Sequence, residues 1–325
     1  MNYIIITSIN DITDAIKSFA DLQDWHVVVI GDNKSIPYNY ENVTYLTVEN
    51  QRELSLVSLK TTPYNHYSRK NIGYLYAMSK GADLIYDTDD DTLPYENWKA
   101  KEFSCNLEIE GCKYINPFSL YTEKKVWPRG LHLAHINDNI KYPSNSVNRK
   151  VGVWQGLIDN DSDFDAIYRL TNGEYITFSQ NKPDIVIGEG CYAPFNTQST
   201  LWHRDLRVLM YVPISVNFRF TDILRGYVAQ RLMWDHGYRL GFHKPNTYQI
   251  RNAHNFYKDF LGEISMYQSI PTVVSVLDSL QLKEQSLEEG LVTCYQALKE
   301  VNIVRNEELT NLTNWLEDLN KLNHI

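Results

Sequence analysis

Long apolar runs are missing from this chain. None approaches the roughly 18 residues needed to cross a bilayer, and the segment Met1 to Thr7 has no basic stretch and only Tyr3-Ile4-Ile5-Ile6 as consecutive large apolar side chains, too few for a signal peptide. The expected product is cytoplasmic. Cysteine is scarce too. Cys105, Cys112, Cys191 and Cys294 fit neither a CxxC pair nor a disulfide framework, and they read as buried free thiols. A cationic excess is lacking as well: 31 Lys and Arg stand against 40 Asp and Glu, a net charge of -9. That balance offers no overall attraction to nucleic acid or to an anionic membrane, and leaves only a local basic groove open. There is no internal repeat, no low-complexity segment and no GxGxxG after the first strand, which argues against a dinucleotide site.

What is present is ordinary globular composition, 43% hydrophobic over 325 residues, enough for one large domain or two modest ones. The 23 tyrosines suit either a well-filled core or a polar-lined ligand cleft. The first 31 residues read as β-α-β: an apolar run at Tyr3 to Thr7, helical spacing of Ile12, Ala15, Ile16 and Phe19, then His26 to Gly31. Asp32 falls just past the carboxyl end of the second strand, where doubly wound folds hold a nucleotide ribose or base. A third strand is expected near Val43 to Val48, a helix over Tyr67 to Met78, and a short strand at Asp83 to Tyr86. The stretch from Thr92 to Gly190 reads as loop-rich with short strands. A helix end and strand are expected over Val208 to Val216, a helix with one apolar face over Thr221 to His236, and leucine-rich helices from about Ser275.

The acidic segment Asp87-Thr88-Asp89-Asp90-Asp91 directly follows the Ile85-Tyr86 strand. Like charges this close repel unless a cation neutralises them. The spacing mimics the first positions of an EF-hand, but position 6 is Thr92 and position 12 is Trp98, so the calcium-loop reading fails. What remains is a carboxylate pair, Asp89 and Asp91, suited to Mg²⁺ or Mn²⁺ whose other positions go to water and phosphate. The alternative is a solvated acidic turn. His132 and His135 form an HxxH with no suitable third ligand nearby, so a zinc site is not supported.

Arg69-Lys70-Asn71-Ile72-Gly73-Tyr74-Leu75-Tyr76-Ala77 and the Asp87 to Asp91 segment resemble the STELLO-type glycosyltransferase-like proteins, and so do Ala193 to Leu201, Asp222 to Leu232 and Arg251-Asn252-Ala253-His254. The resemblance spans about residues 65–262; the first 60 residues match at the level of fold alone, and the last 50 match nothing. Fainter similarity, through the Asp triplet, Trp127-Pro128-Arg129-Gly130, Gln155-Gly156-Leu157 and Asp163 to Ala166, runs to the reversibly glycosylated polypeptides, the UDP-arabinopyranose mutases of plants. The resemblance implies an α/β GT-A fold, a mixed sheet with helices on both faces, over residues 1–270, and a helical extension over 271–325.

It also implies a metal-dependent, inverting glycosyltransferase with a nucleoside diphosphate sugar (UDP first) as donor and a glycan, a lipid-linked glycan or another group as acceptor. A UDP-sugar mutase and a non-catalytic partner of glycan synthesis are the alternatives, and modified DNA bases are a minority acceptor. By resemblance Thr7, Ser8 and Asp32 face the base and ribose, Asp89 and Asp91 hold Mn²⁺ or Mg²⁺ with His254, and Asp90 meets the donor ribose or sugar. Lys70 and Asn71, opening a helix, are placed to meet a pyrophosphate. Asp222 corresponds to the general base, against the simpler role of helix N-cap. Arg225, one turn on, is placed to pair with that acid or with the diphosphate. Arg129 aligns with an arginine implicated in self-glycosylation of the mutases, but a protonated guanidinium is a poor nucleophile and phosphate binding is the simpler account. The C-terminal helices are expected to pack on the domain or to join two subunits.

Overall fold

Ile4, Ile5 and Ile6 are buried on both faces of their strand, as are Val27 to Ile30 of its neighbour, the signature of parallel strands covered by helices on each side. The computed structural model describes residues 1–138, 142–252 and 255–323. In chain order the elements are β1 (Asn2–Thr7), α1 (Asp14–Ala20), β2 (Trp25–Ile30), β3 (Val43–Leu46), α2 (Val48–Glu53), α3 (Lys70–Ser79), β4 (Ile85–Thr88), β5 (Thr92–Pro94) and β6 (Ser104–Ile109). Then come β7 (Ser144–Asn160), α4 (Ala166–Thr171), β8 (Ile185–Ile187), β9 (Ser199–Trp202), α5 (Thr221–Asp235), β10 (Tyr238–Gln249), α6 (Phe256–Ser279), α7 (Leu287–Glu300) and α8 (Asn306–Asn323).

Among the described residues the strands form one sheet in the order β3-β2-β1-β4-β9-β7-β6-β8-β10-β5, with β7 also paired to β10. The first four strands are parallel, and β9 joins β4 antiparallel, which makes the sheet mixed, as expected for the GT-A class. The β-α-β start is as read. Thr13 caps α1 by accepting from the Ile16 backbone, and Ile16 and Phe19 seat the helix on the sheet. Gly73 lets α3 lie close on β1 and β2: a Cβ there would stand 2.3 Å from the Ile30 side chain.

Three expectations change. The middle of the chain contains a 17-residue strand, β7, whose early residues pair with β6 and later ones with β9 and β10. Its polar first half hid the period, and its second half is buried without alternation. Residues 211–216 form no strand; a 3₁₀ stretch over Arg204–Met210 precedes them. Helix α5 is buried on every face rather than one, because α6 and α7 cover the side away from β10.

All four cysteines are free, and Cys112 is only partly buried. The boundary drawn at 270/271 falls within the continuous helix α6. The leucine stripe of α8 faces inward with Trp315, whose indole donates to the Val208 carbonyl at 3.1 Å, so this chain's own domain covers it.

Candidate active site

A cavity of about 640 Å³ opens beyond the carboxyl ends of β1, β2 and β4. Parallel α/β sheets bind ligands at this edge, because helix N-termini and strand-end loops converge there. Thr7, Ser8 and Asp32 line it from β1 and β2. Asp32 accepts from the backbone N–H of Asn33 at 2.8 Å and of Asn65 at 2.6 Å, which fixes its carboxylate at the rim. The Ser8 hydroxyl donates to Asp90, so it braces the acidic segment.

The four carboxylates of that segment divide by depth. Asp87 is fully buried behind the wall, between Lys70 at 2.7 Å and Arg225 at 3.2 Å, and accepts from the Tyr74 hydroxyl at 2.5 Å. Burial raises its pKa against the pull of those two cations. Asp89, Asp90 and Asp91 line the cavity. Asp90 accepts from Asn10 at 2.8 Å as well as from Ser8, and burial raises its pKa. Asp89 takes the Tyr67 hydroxyl at 2.6 Å and Lys70 at 3.3 Å on one oxygen, and its other oxygen accepts nothing from the described residues. Asp91 accepts from the Gln249 amide at 3.0 Å and the Asn252 backbone at 3.2 Å, both neutral donors. Burial, and then the charge of Asp89, push its pKa up to about 6.

A carboxylate so perturbed, facing a cavity beside a second carboxylate with an open oxygen, is a donor set that fits a hard divalent cation. Among the described residues no group of three His, Cys, Asp or Glu side chains is arranged to hold an ion, so water and phosphate would complete its shell. His254, the third ligand expected from sequence, lies outside the described residues.

The same cavity is lined by a buried ion triad. Arg129 reaches Asp163 at 2.8 Å and Asp222 at 2.7 Å. All five of its N–H groups are engaged: Nε with Asp163, Nη1 with the Arg219 carbonyl and Asp222, Nη2 with Asp163 and Asp222. Burial would raise the Asp163 carboxyl, but the Arg129 charge outweighs it and holds the pKa well below the usual range. Asp163 also accepts from Asn196 at 2.8 Å, whereas among the described residues Asp222 accepts from Arg129 alone. Asp222 sits in the first turn of α5 without capping it, since Phe220 is the N-cap residue and no side chain caps that end. The capping role weighed against catalysis therefore has no support.

The structure rearranges several sequence-based expectations. Lys70 and Arg225 do not line the cavity; both neutralise Asp87. Asn71 is buried too, accepting from Val212 N–H at 2.8 Å and donating to its carbonyl at 2.9 Å. None of the three meets a pyrophosphate directly. Arg129 lines the cavity yet has no N–H left for a phosphate, and two carboxylates raise its pKa despite burial, which removes it as a nucleophile. Of the other acids near the resemblance motifs, Asp165 caps α4 and bonds the Trp127 indole, its pKa pushed up to about 7 by burial, and Glu189 pairs with Arg239 away from the cavity. Tyr67, Gln249 and Arg251 line the cavity without having been singled out. Only Arg251, inside the Arg251 to His254 motif, carried any signal.

Residues 219–325 match the sequence profile of the STELLO glycosyltransferases, including the C-terminal helices in which no motif was recognised. Two curated proteins of Arabidopsis thaliana are similar over 98% of this chain: probable glycosyltransferase STELLO1, 25% identical, and probable glycosyltransferase STELLO2, 24% identical. The chain spans 44% of the length of each. The similarity carried by the short motifs thus extends along nearly the whole sequence, and it is to the STELLO-type glycosyltransferases that this chain is similar.

Proposed function

We propose that the cavity binds a nucleoside diphosphate sugar, UDP-linked in the first instance, and that the chain transfers the sugar to an acceptor hydroxyl of a glycan with inversion. The observation that carries this reading is that two acidic groups line one cavity: Asp89 with Asp91 at the end of β4, and Asp222 at the start of α5. Asp222 is the base, taking the acceptor proton as the new C1–O bond forms and the C1–O bond to the diphosphate breaks. Arg129 holds that carboxylate in place, and Asp163 balances the arginine. Thr7 and Asp32 meet the base and ribose at the strand ends. Asp89 and Asp91 hold Mn²⁺ or Mg²⁺, which when bound supplies charge neutralisation for the departing diphosphate.

The test is a thermal-shift panel of UDP, GDP and ADP with Mn²⁺ or with excess chelator. Stabilisation by one diphosphate that depends on Mn²⁺ is expected, and a tight ligand at 100 times its Kd adds about 2.7 kcal/mol. Equal stabilisation with chelator removes the metal from the reading, and no stabilisation by any of the three removes the donor.

A further inference from the structure

Among the described residues five cationic side chains line the cavity, and their surroundings differ. Arg129 has none left. Arg69 gives Nη2 to the Gln51 side chain and Nη1 to the Thr62 carbonyl at 3.4 Å, its Cζ lies 4.6 Å from the Tyr64 ring centroid, and its Nε is buried without a partner among the described residues. Arg219 gives Nε and Nη2 to Glu263, and Lys34 is exposed.

Arg251 differs in its place, joined to Asp91 of the acidic segment through Gln249. Its side chain is only 7% exposed, yet its hydrogen bonds are long: Nη2 reaches the Asp161 carbonyl at 3.5 Å and the Gln249 side-chain oxygen at 3.3 Å. Its Nε stands 3.1 Å from Asp161 but without hydrogen-bond geometry, and is a buried donor with no partner among the described residues. Nη1 has none among the described residues. Buried donors left so poorly satisfied are uncommon in folded proteins, and here the open side is the cavity. Asp161 is shared with Arg169, so Arg251 does not have a carboxylate to itself.

Gln249 supplies the second half of the argument. Its amide nitrogen donates to Asp91 at 3.0 Å while its oxygen faces Arg251. One neutral side chain therefore stands between a carboxylate and a guanidinium that would otherwise form an ion pair. Both charges stay available to the cavity, side by side.

Resting on the function proposed above, we infer that Arg251 is the diphosphate-binding cation, its planar fork taking oxygens of the terminal phosphate next to Asp91. A guanidinium matches a phosphate edge with two parallel N–H bonds, and a buried, under-satisfied one does so with little competition from water. The assignment replaces Lys70, Arg129 and Arg225, whose donors are turned into the protein.

The experiment is calorimetric, on the full chain with Mn²⁺, using uridine, UMP and UDP and the guanosine series in parallel. In the wild type, adding the second phosphate raises affinity. In Arg251→Gln that gain falls by about 10- to 100-fold, while nucleoside and monophosphate affinities stay within about twofold. Arg251→Lys, which keeps the charge beside Asp161, loses the fork, and should lose about 3- to 10-fold of the same gain. If the glutamine variant does not fold by its melting curve, the lysine variant decides. An unchanged diphosphate gain, or an equal loss for nucleoside, monophosphate and diphosphate, overturns the role of Arg251 and leaves the proposed function standing. A wild type that binds neither diphosphate overturns both.

Discussion

Arg129 grips Asp222 with two nitrogens, Nη2 at 2.7 Å and Nη1 at 3.1 Å, and the same guanidinium binds Asp163 on its other edge. The bridge ties the start of α5 to the segment after β7, so the proposed base cannot rotate away from the cavity.

Asp222→Asn keeps the shape and can still accept from Arg129, but cannot take an acceptor's proton. Donor affinity by calorimetry should stay within about twofold, while transfer falls by roughly 10²- to 10⁴-fold, the contribution of a positioned base. Turnover near wild type would show that Asp222 is structural.

Asp163 leads to a prediction about acid. Its pKa is held below the usual carboxylate value in the folded chain, so its contribution to stability is complete above about pH 4, the unfolded value, and is lost as pH falls further. Asp163→Asn should cost about 2–3 kcal/mol at neutral pH by removing half of the charge that balances Arg129. Its stability should also fall less steeply than that of the wild type between about pH 4 and pH 2. Parallel urea titrations across that range check both; identical slopes would contradict the pairing.

Asp91 has the opposite sign. A folded-state pKa near 6 against about 3.9 unfolded means that the metal-free chain loses stability as pH rises from about 4 to about 6, on the order of 2–3 kcal/mol from this group. Asp91→Asn should flatten that part of the profile, though it also gives up the bond from Asn252 N–H. The same variant should lose stabilisation by Mn²⁺. Melting curves with chelator and with Mn²⁺, from pH 4 to 8, read out both effects.

How much of this was legible beforehand follows from how locally each feature is encoded. The β-α-β start and the position of Asp32 rest on short periodic runs, and the Asp87 to Asp91 segment on its charge density beside a strand. The depth of each carboxylate was not readable, because burial of Asp87 depends on Lys70 and on Arg225, 138 residues further on. For the same reason the cations were misplaced: a basic residue near an acidic motif can neutralise a buried carboxylate or face a ligand, and only the fold decides. Gln249 between Asp91 and Arg251 has no sequence signal at all, since its role exists only when the end of β10 meets the acidic segment.

The C-terminal helices supply the last prediction. Residues 211–216, expected to include a strand, have no strand partner, and α8 fills the gap. Glu308, fully buried, accepts from Ile214 N–H at 3.0 Å, Ser215 N–H at 2.8 Å and the Tyr211 hydroxyl at 2.5 Å. One turn after Trp315, Asp318 accepts the Val57 and Ser58 N–H groups at 2.7 and 2.8 Å. These carboxylates do the work of a missing ladder on backbone close to α3 and α5, and so reach the elements that carry Asp222. Glu308→Ala leaves the Ile214 and Ser215 N–H groups without their acceptor and takes the carboxylate from the Tyr211 hydroxyl, which keeps the Asn311 amide at 3.0 Å, and should cost about 3 kcal/mol. Glu308→Gln, which keeps one accepting oxygen, should cost less. A chain ending at residue 270 removes all of these acceptors and exposes α5, and should lack a cooperative unfolding transition. Urea denaturation followed by tryptophan fluorescence makes the comparison. A Glu308→Ala loss under about 0.5 kcal/mol, together with a folded 1–270 fragment, would show that the helices are a separable extension and not part of the site's support.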